Sequence, residues 1–310
     1  MSGKNKSRYR LYLIAVLCTV LWGSAVPTIK LGYEIFSIAP SATADQLMFA
    51  GIRFFGAGLL LLIPYGIVFG KVQQKKDLWT HAGIIGLIQT AGQYFFMYIG
   101  LSYTSGVNAS VLSAVGTLLY VVLAWVIFRD QKMSKIKAVG CMVGFFGILL
   151  NSLSTQKMGL LSWKGDGFVM ISNICVAVGF LYSKYGVKNQ NPFLLTGLQM
   201  GIGGGVLLTI ALCLGGRLPT VTPAGILLLF YLMMVSSVAF SLWTALLKEY
   251  PSSLVGMFNF LTPVFGTIFS YLLSRLGVLD EASAFTIYTV IAILCSAGGI
   301  LLSSMGDTTK

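Results

Sequence analysis

The sequence predicts an all-α membrane protein of ten transmembrane helices, arranged as two five-helix repeats of opposite topology. The chain of 310 residues is 56% hydrophobic and only 10% charged, whereas soluble domains carry about 25% charged residues. It contains ten apolar runs, each of roughly the 20 residues that a helix needs to cross the hydrocarbon core. In addition, short motifs recur in the same order in both halves of the chain.

The ten helices follow from the hydropathy of the chain, read from its start. The first apolar run follows a basic segment, as in a signal peptide. It is full-length and lacks a small-residue cleavage site, so we expect it to remain as a helix. The runs lie near residues 11–30, 46–69, 79–102, 106–128, 136–153, 167–186, 193–214, 223–247, 252–275 and 283–304. The longest connections, near 31–45 and 154–166, leave no room for a soluble domain, and we expect none at either end.

The formal net charge of +12 reflects membrane topology rather than nucleic-acid binding. If the N-terminus is cytoplasmic, 15 of the 21 basic residues fall in cytoplasmic segments. They are Lys4, Lys6, Arg8, Arg10, Lys71, Lys75, Lys76, Arg129, Lys132, Lys135, Lys137, Lys184, Lys188, Lys248 and Lys310. This positive-inside bias predicts that both termini are cytoplasmic. No soluble basic face remains to bind nucleic acid.

An internal repeat is indicated by three pairs of similar segments in the same order. The pairs are Gly147–Ser152 with Gly299–Ser304, Tyr103–Ser105 with Tyr250–Ser252, and Lys30–Gly32 with Lys184–Gly186. They predict one repeat over residues 1–153 and a second over 154–310. Because five is odd, the second copy enters the membrane from the opposite side, an arrangement that recurs in secondary transporters with the substrate site between the halves.

Close helix packing is indicated by the 36 glycines, notably the spacings Gly140-x-x-x-Gly144 and Gly201-x-x-x-Gly205. The five cysteines all fall in apolar spans without a metal-ligand spacing, and His81 is the only histidine. We therefore predict no metal, no cofactor and no catalytic residues. The motifs of intramembrane proteases are also missing, so the sequence does not indicate an enzyme.

Several motifs resemble the drug/metabolite transporter superfamily, in its EamA branch. They are Trp22-Gly-Ser24 with Pro27, Arg53-Phe54, Leu101–Ser105 followed by Asp130, the Gly-Ile-Leu-Leu end of span 5, Leu261-Thr-Pro263, and Asp280-Glu281. The chain departs from the pattern where Gly116 stands opposite Pro263 and where Arg129-Asp130 replaces the usual Gly-Glu. The resemblance extends over nearly the whole chain and implies ten helices and the transport of small metabolites such as amino acids, more often out of the cell than into it.

The positions of the carboxylates indicate the charge class of the solute. All nine lie in loops or at helix ends, whereas a proton-driven exporter of hydrophobic cations is expected to bury one that the proton and the drug compete for. A neutral, zwitterionic or anionic solute fits better. Proton-coupled drug export, nucleotide-sugar or organic-anion transport, and a non-transporting sensor or scaffold remain as alternatives.

Candidate substrate-binding residues are uncharged polar and aromatic side chains on the spans expected to line a cavity. In chain order they are Trp22, Gln89, Gln93, Tyr94, Tyr98, Asn108, Asn173, Phe180, Ser237, Ser241, Trp243 and Asn259. Gln89 and Gln93, four residues apart, are expected to share a helix face. For the polar residues the alternative role is hydrogen bonding between helices, and for the aromatic residues it is packing.

Candidate hinges are the glycines and prolines that interrupt spans 1, 4 and 9: Gly23, Pro27, Gly116 and Pro263. Arg53 lies about two turns inside span 2. Its leading interpretation is a side chain that snorkels to the membrane surface, with pairing to a helix end or attraction of an anionic substrate as the alternatives.

The prediction from sequence is therefore a multi-pass carrier of the cell membrane. It moves a small polar metabolite, with an amino acid the best single choice, outward by alternating access. Its partners are the solute and the lipid bilayer, and a monomer and a homodimer are both left open. Helices 1, 3, 4, 6, 8 and 9 are expected to line the cavity, and helices 5 and 10 to brace the halves.

Overall fold

The computed structural model describes residues 3–70, 76–104, 106–128, 135–155, 160–278 and 285–305. Ten helical segments run through these ranges, and no strand occurs within them. They are α1 Gly3–Ile35, α2 Thr43–Phe69, α3 from Lys76 to Leu101, α4 Gly106–Phe128, α5 Lys135–Thr155, α6 from Trp163 to Val187, α7 Pro192–Cys213, α8 Pro223–Glu249, α9 from Ser252 to Arg275, and α10 Ile287–Met305. The acidic positions Asp130 and Asp280-Glu281 lie outside the described residues.

The all-α membrane architecture predicted from hydropathy is confirmed. Within the described residues, nine helices are long and apolar enough to cross a membrane, and α10 contributes a shorter apolar stretch, Ile287–Leu302. The side of the membrane on which the termini lie stays a prediction. Helix α7 begins as its sequence dictates, because the Asn191 side chain caps the backbone N–H groups of Phe193 and Leu194 and Pro192 occupies the first turn.

Three helices depart locally from α geometry. A π turn, Gly86–Gly92, lies in the middle of α3 and another, Trp163–Gly167, opens α6. Helix α9 passes through a short 3-10 segment, Phe258–Phe260, directly before its proline. Helix α1, in contrast, stays α-helical through Pro27, so the interruption expected there is absent. The hydroxyls of Ser24 and Thr28 donate to the carbonyls of Leu21 and Ser24, whereas the carbonyl that loses its helical donor to Pro27 is that of Gly23.

Glycines set the tight helix contacts. A Cβ on Gly58 would lie 2.6 Å from the amide nitrogen of Gly201, and a Cβ on Gly204 would clash with the backbone of Phe55, so α2 and α7 pack backbone to backbone. Gly299 meets the Gly140–Gly144 stretch in the same way, which joins α10 to α5. Gly201, in the predicted spacing Gly201-x-x-x-Gly205, takes part in this contact through its backbone, although the position that its own Cβ would take meets nothing within 4 Å.

The remaining helices surround the middle of the molecule. Helix α1 packs against α8 and α9, and α6 packs against α3 and α4. Large buried side chains from these helices form the main hydrophobic core. Helices α5 and α10 pack mainly against each other, and Cys141 and Ile300 also belong to the main hydrophobic core. The bracing role of these two helices stays a prediction.

Candidate functional site

Four aromatic side chains meet in the middle of the bundle and form what we call the aromatic cluster: Trp22, Phe180, Phe240 and Trp243. The ring of Trp22 lies 4.9 Å from that of Trp243, 5.2 Å from Phe240 and 6.0 Å from Phe180, centroid to centroid. Tyr120 extends the group from α4, 5.7 Å from Phe180. Helices α1, α6 and α8 thus each contribute to one contiguous aromatic surface.

Polar atoms in and beside the aromatic cluster lack partners. The indole nitrogens of Trp22 and Trp243 are buried without a hydrogen-bond acceptor in the described part of the chain, and the hydroxyl of Ser241 is likewise buried and unpaired. Trp243 is fully buried, with 0% of its surface exposed. Since a buried donor left unpaired costs about 1–3 kcal/mol, these unpaired atoms make the aromatic cluster a candidate binding site.

Arg53 lies next to this cluster in α2 and is itself buried, with 2% of its surface exposed. Its Nε donates a hydrogen bond of 2.9 Å to the hydroxyl of Ser236 in α8. Its guanidinium carbon lies 4.9 Å from the centroid of the Phe54 ring, and its Nη1 has no hydrogen-bond partner in the described part of the chain. The interpretation of Arg53 as a snorkelling side chain is therefore wrong, because its charge faces the protein interior.

Three tyrosines complete what we call the arginine–tyrosine cluster: Tyr33, Tyr94 and Tyr98 with Arg53. Their rings continue from the Phe54 ring beside the guanidinium through Tyr94 to Tyr98, and Tyr98 lies 6.4 Å from Tyr33, centroid to centroid. The hydroxyls of Tyr33 and Tyr98 are buried without a hydrogen-bond partner in the described part of the chain. Tyr94 packs on Phe54 with ring centroids 4.2 Å apart and is 6.1 Å from Tyr98.

Helix α8 joins the two clusters. Ser236, which holds Arg53, and the aromatic residues Phe240 and Trp243 are spaced four and then three residues apart, so all three lie on one helix face. One helical turn, about 6 Å along the axis, separates Ser236 from Phe240. The two clusters therefore meet along one face of α8.

Most of the predicted amides bond neighbouring helices instead. The Gln89 side-chain oxygen accepts a hydrogen bond of 3.1 Å from Ser183. The Asn173 amide donates to the carbonyl of Leu112 at 3.1 Å, and Asn108 donates to Asp166 at 3.1 Å. These contacts support the alternative role, hydrogen bonding between helices.

The other polar candidates are spread through the bundle. Ser237 donates to the carbonyls of Ala57 and Met233, and Asn259, in the 3-10 segment of α9, accepts a hydrogen bond from the nearby Thr262. Gln93 has a buried side-chain oxygen without a partner in the described part of the chain. That Gln89 and Gln93 share a helix face stays a prediction.

One carboxylate is more buried than its position at a helix end predicts. Asp166, in the first turn of α6, is 7% exposed and accepts hydrogen bonds from the Thr104 hydroxyl at 2.6 Å and the Ser162 amide at 2.6 Å, besides Asn108. These donors tie the start of α6 to the connection before α4. The side chain is fully engaged as a structural anchor.

The predicted hinge glycines are points of close helix contact. A Cβ on Gly23 would lie 2.5 Å from the Cβ of Phe265 in α9, and one on Gly116 would lie 2.6 Å from the Cβ of Asn173 in α6. Gly23 and Gly116 therefore let α1 approach α9 and α4 approach α6. These are helix pairs whose relative movement would change the space around the aromatic cluster.

Cationic side chains fasten the C-terminal end of α8. Lys184 of α6 donates to the Tyr250 carbonyl at 2.9 Å and to the Leu247 carbonyl at 3.4 Å. Lys248 donates to the Gln190 carbonyl at 2.8 Å, and the Arg10–Glu249 ion pair, at 3.1 Å, joins α1 to the same end. This end of the bundle is thus closed by polar contacts that involve three helices and the loop before α7.

A polytopic helical bundle with a central aromatic and polar site is the architecture of a membrane transporter. Comparison with known families shows which family of transporters the chain belongs to. The profile of the EamA-like transporter family matches residues 10–153 and again residues 163–305, and the chain belongs to this family.

The relatives agree with this class. An uncharacterized transporter of Archaeoglobus fulgidus is 24% identical over 95% of this chain and 97% of its own length. The uncharacterized transporter YyaM of Bacillus subtilis is 25% identical, over 84% of this chain and 85% of its own. The uncharacterized inner membrane transporter YedA of Escherichia coli is 28% identical, over 79% of this chain and 76% of its own length.

A solved crystal structure shares the fold over 95% of this chain and 96% of its own, with a TM-score of 0.76 and 18% sequence identity. Together with its apolar helices and its family, the inner-membrane relative marks this chain as a multi-pass protein of the cell membrane.

Proposed function

We propose that this protein is a secondary transporter that moves a small polar metabolite, best described as an amino acid or a related compound, out of the cell by alternating access. The observation that carries the proposal is the aromatic cluster, with buried polar atoms beside it that lack partners in the described part of the chain. Aromatic walls with a few polar groups are typical of small-molecule sites. No catalytic step is included in the proposal.

Two halves of opposite topology are part of this proposal. An axis relating the halves would exchange α1 with α6, α2 with α7, α3 with α8, α4 with α9 and α5 with α10. Under this exchange the packing of α1 on α8 and α9 becomes the packing of α6 on α3 and α4, and the pairs α2–α7 and α5–α10 map onto themselves. All of these contacts occur, which supports an inverted repeat, as does the double match of the family profile.

Alternating access then follows from the helix contacts around the site. The contacts at Gly23 and Gly116 join the two halves and would be exchanged by the axis. We propose that the end of the bundle closed by Lys184, Lys248 and the Arg10–Glu249 pair is the cytoplasmic end, as the positive-inside bias predicts. Breaking these contacts while closing the opposite end would carry the site from one face of the membrane to the other.

The charged side chains around the two clusters indicate which class of solute is transported. The described carboxylates Glu34, Asp77 and Glu249 are exposed, and Asp45 and Asp166 accept hydrogen bonds at helix ends. None of these five side chains is placed to compete for a cationic drug, which disfavours the proton-coupled drug exporter. An amino acid matches the small polar site and one of the solute types that the family resemblance implies.

The test is transport by the purified protein in liposomes, with a panel of labelled amino acids, organic anions and organic cations, with and without a proton gradient. We expect flux of at least one amino acid, and a fall of about tenfold in its transport efficiency for Trp22→Ala or Trp243→Ala, since Trp22 loses contact with three aromatic rings and Trp243 with two.

Trp125→Ala is the matched control for these variants, because Trp125 is 38% exposed on α4 and its loss should leave transport unchanged. Absence of flux for every solute would refute the transporter proposal. Cation flux driven by the proton gradient would establish the drug exporter instead.

A further inference from the structure

We propose that the arginine–tyrosine cluster binds the carboxylate group of the transported solute, with Arg53 as the charged partner and the Tyr33 and Tyr98 hydroxyls as additional donors. The inference rests on the proposed function and narrows its substrate class to compounds that carry a carboxylate. The inference starts from the Arg53 guanidinium, which is buried in the described part of the protein without a neutralising carboxylate.

The charge of Arg53 has no carboxylate partner among the described residues. The ion pair between Arg10 and Glu249 joins two exposed side chains and does not involve Arg53. A guanidinium is always protonated in proteins, and removing its charge from water without a counterion is strongly unfavourable. Such a residue inside a membrane bundle marks a functional site, and the missing negative charge points to the solute.

The donors around Arg53 fit one carboxylate group. Ser236 takes the Nε hydrogen and the Phe54 ring lies beside the guanidinium, so the side chain is fixed in place. Nη1 and the hydroxyls of Tyr33 and Tyr98 remain without partners in the described part of the chain. A carboxylate accepts up to about four hydrogen bonds, and its single charge balances that of one guanidinium. A phosphate dianion would leave one negative charge uncompensated.

The rest of the solute is positioned by the aromatic cluster. Phe240 follows Ser236 by one turn on the same face of α8, about 6 Å along the helix. A carboxylate held at Arg53 therefore places the α-ammonium group or the side chain of an amino acid near Phe240 and Trp22, where an ammonium group is attracted to the ring faces. The two clusters together provide complementary contacts for a zwitterion.

The competing explanation is that Arg53 only joins α2 to α8 through Ser236. Two kinds of variant separate these roles. Arg53→Gln removes the charge, and the double variant Tyr33→Phe/Tyr98→Phe keeps the charge but removes two donors. Ser236→Ala keeps the charge and the phenols but removes the helix-to-helix hydrogen bond. A purely structural role predicts that all three variants change thermal stability without changing which solutes bind.

The experiment measures the thermal stabilisation of the purified full-length protein by a panel of L-amino acids, by the corresponding amino-acid amides, and by inorganic phosphate. We expect at least one amino acid to stabilise the wild-type protein, while its amide and phosphate do not. Arg53→Gln should weaken this effect at least about tenfold in half-maximal concentration, and the tyrosine double variant should weaken it several-fold. Ser236→Ala should retain the preference for the acid over the amide.

Equal responses of the wild-type protein to acids and amides, or no response to any acid, would overturn the inference. If Arg53→Gln does not fold, the tyrosine double variant decides, since loss of the acid preference supports the site and its retention refutes it. Flux of amides and acids alike in liposomes would leave the transporter proposal intact and refute this site. Binding of acids through Arg53 without any flux would support this site and refute the transporter proposal.

Discussion

Replacing Gly23 by alanine should separate α1 from α9 and destabilise the protein. The new Cβ would lie 2.5 Å from the Cβ of Phe265, 2.9 Å from the Gly266 nitrogen and 3.0 Å from the Phe265 carbonyl carbon. Carbon atoms pack best about 3.5–4.0 Å apart, and two of the three atoms belong to backbone that no rotamer change can move. The helices must therefore move apart by about 1 Å, which costs about 1–3 kcal/mol in a packed core.

The matched control is Gly201→Ala in α7, where a Cβ meets no atom within 4 Å. Both variants replace a helical glycine by alanine, so the difference between them removes the gain in helix propensity, about 0.5–1 kcal/mol. In detergent we expect the melting temperature of Gly23→Ala to fall roughly 2–8 °C below that of Gly201→Ala. Equal melting temperatures would show that α1 and α9 do not pack as described.

Three further predictions concern polar contacts. Lys184→Met should lower the free energy of unfolding by about 1–3 kcal/mol, because it removes the donor to the Tyr250 carbonyl; a melting temperature equal to wild type would contradict that role. Asn108→Ala should cost about 1–3 kcal/mol, since Asp166 loses a donor, yet leave the KM for transport unchanged; a raised KM would return Asn108 to the binding site. Arg10→Gln should change stability by less than about 0.5 kcal/mol, because its ion pair is exposed, and a larger loss in thermal unfolding would refute this.

Hydropathy predicted the helices well because length and apolarity are local properties. The order of the spans followed from it, whereas the expectation that α1, α6 and α8 line a central site came from the transporter interpretation. Trp22, Phe180 and Trp243 were named as candidate wall residues, and the structure brings their rings together. An amphipathic pattern is weak in a chain surrounded by lipid, so hydropathy alone could not separate these rings from those that face outward.

Partners distant in sequence could not be predicted. Whether Arg53 reaches the membrane surface or the interior depends on how α2 is rotated against α8, and its partner Ser236 is 183 residues away. Tyr33 and Phe240 were missed for the same reason, since neither belongs to a motif. The predicted repeat also aligns Arg53 with the uncharged Gln199, so symmetry does not require a charge at this position, and this was the one available signal.

The π turn of α3 has a consequence for how this helix can vary. A π turn accommodates one residue more than an α-helical turn would. This one contains Gln89 and Thr90, which bond α6 and α7, and it precedes the segment that carries Tyr94 and Tyr98. Deleting one of its other residues would therefore restore regular α geometry and keep the residues on either side in register, so both phenols would stay beside Arg53. The same deletion in a regular α segment of this helix would rotate everything beyond it by about 100°.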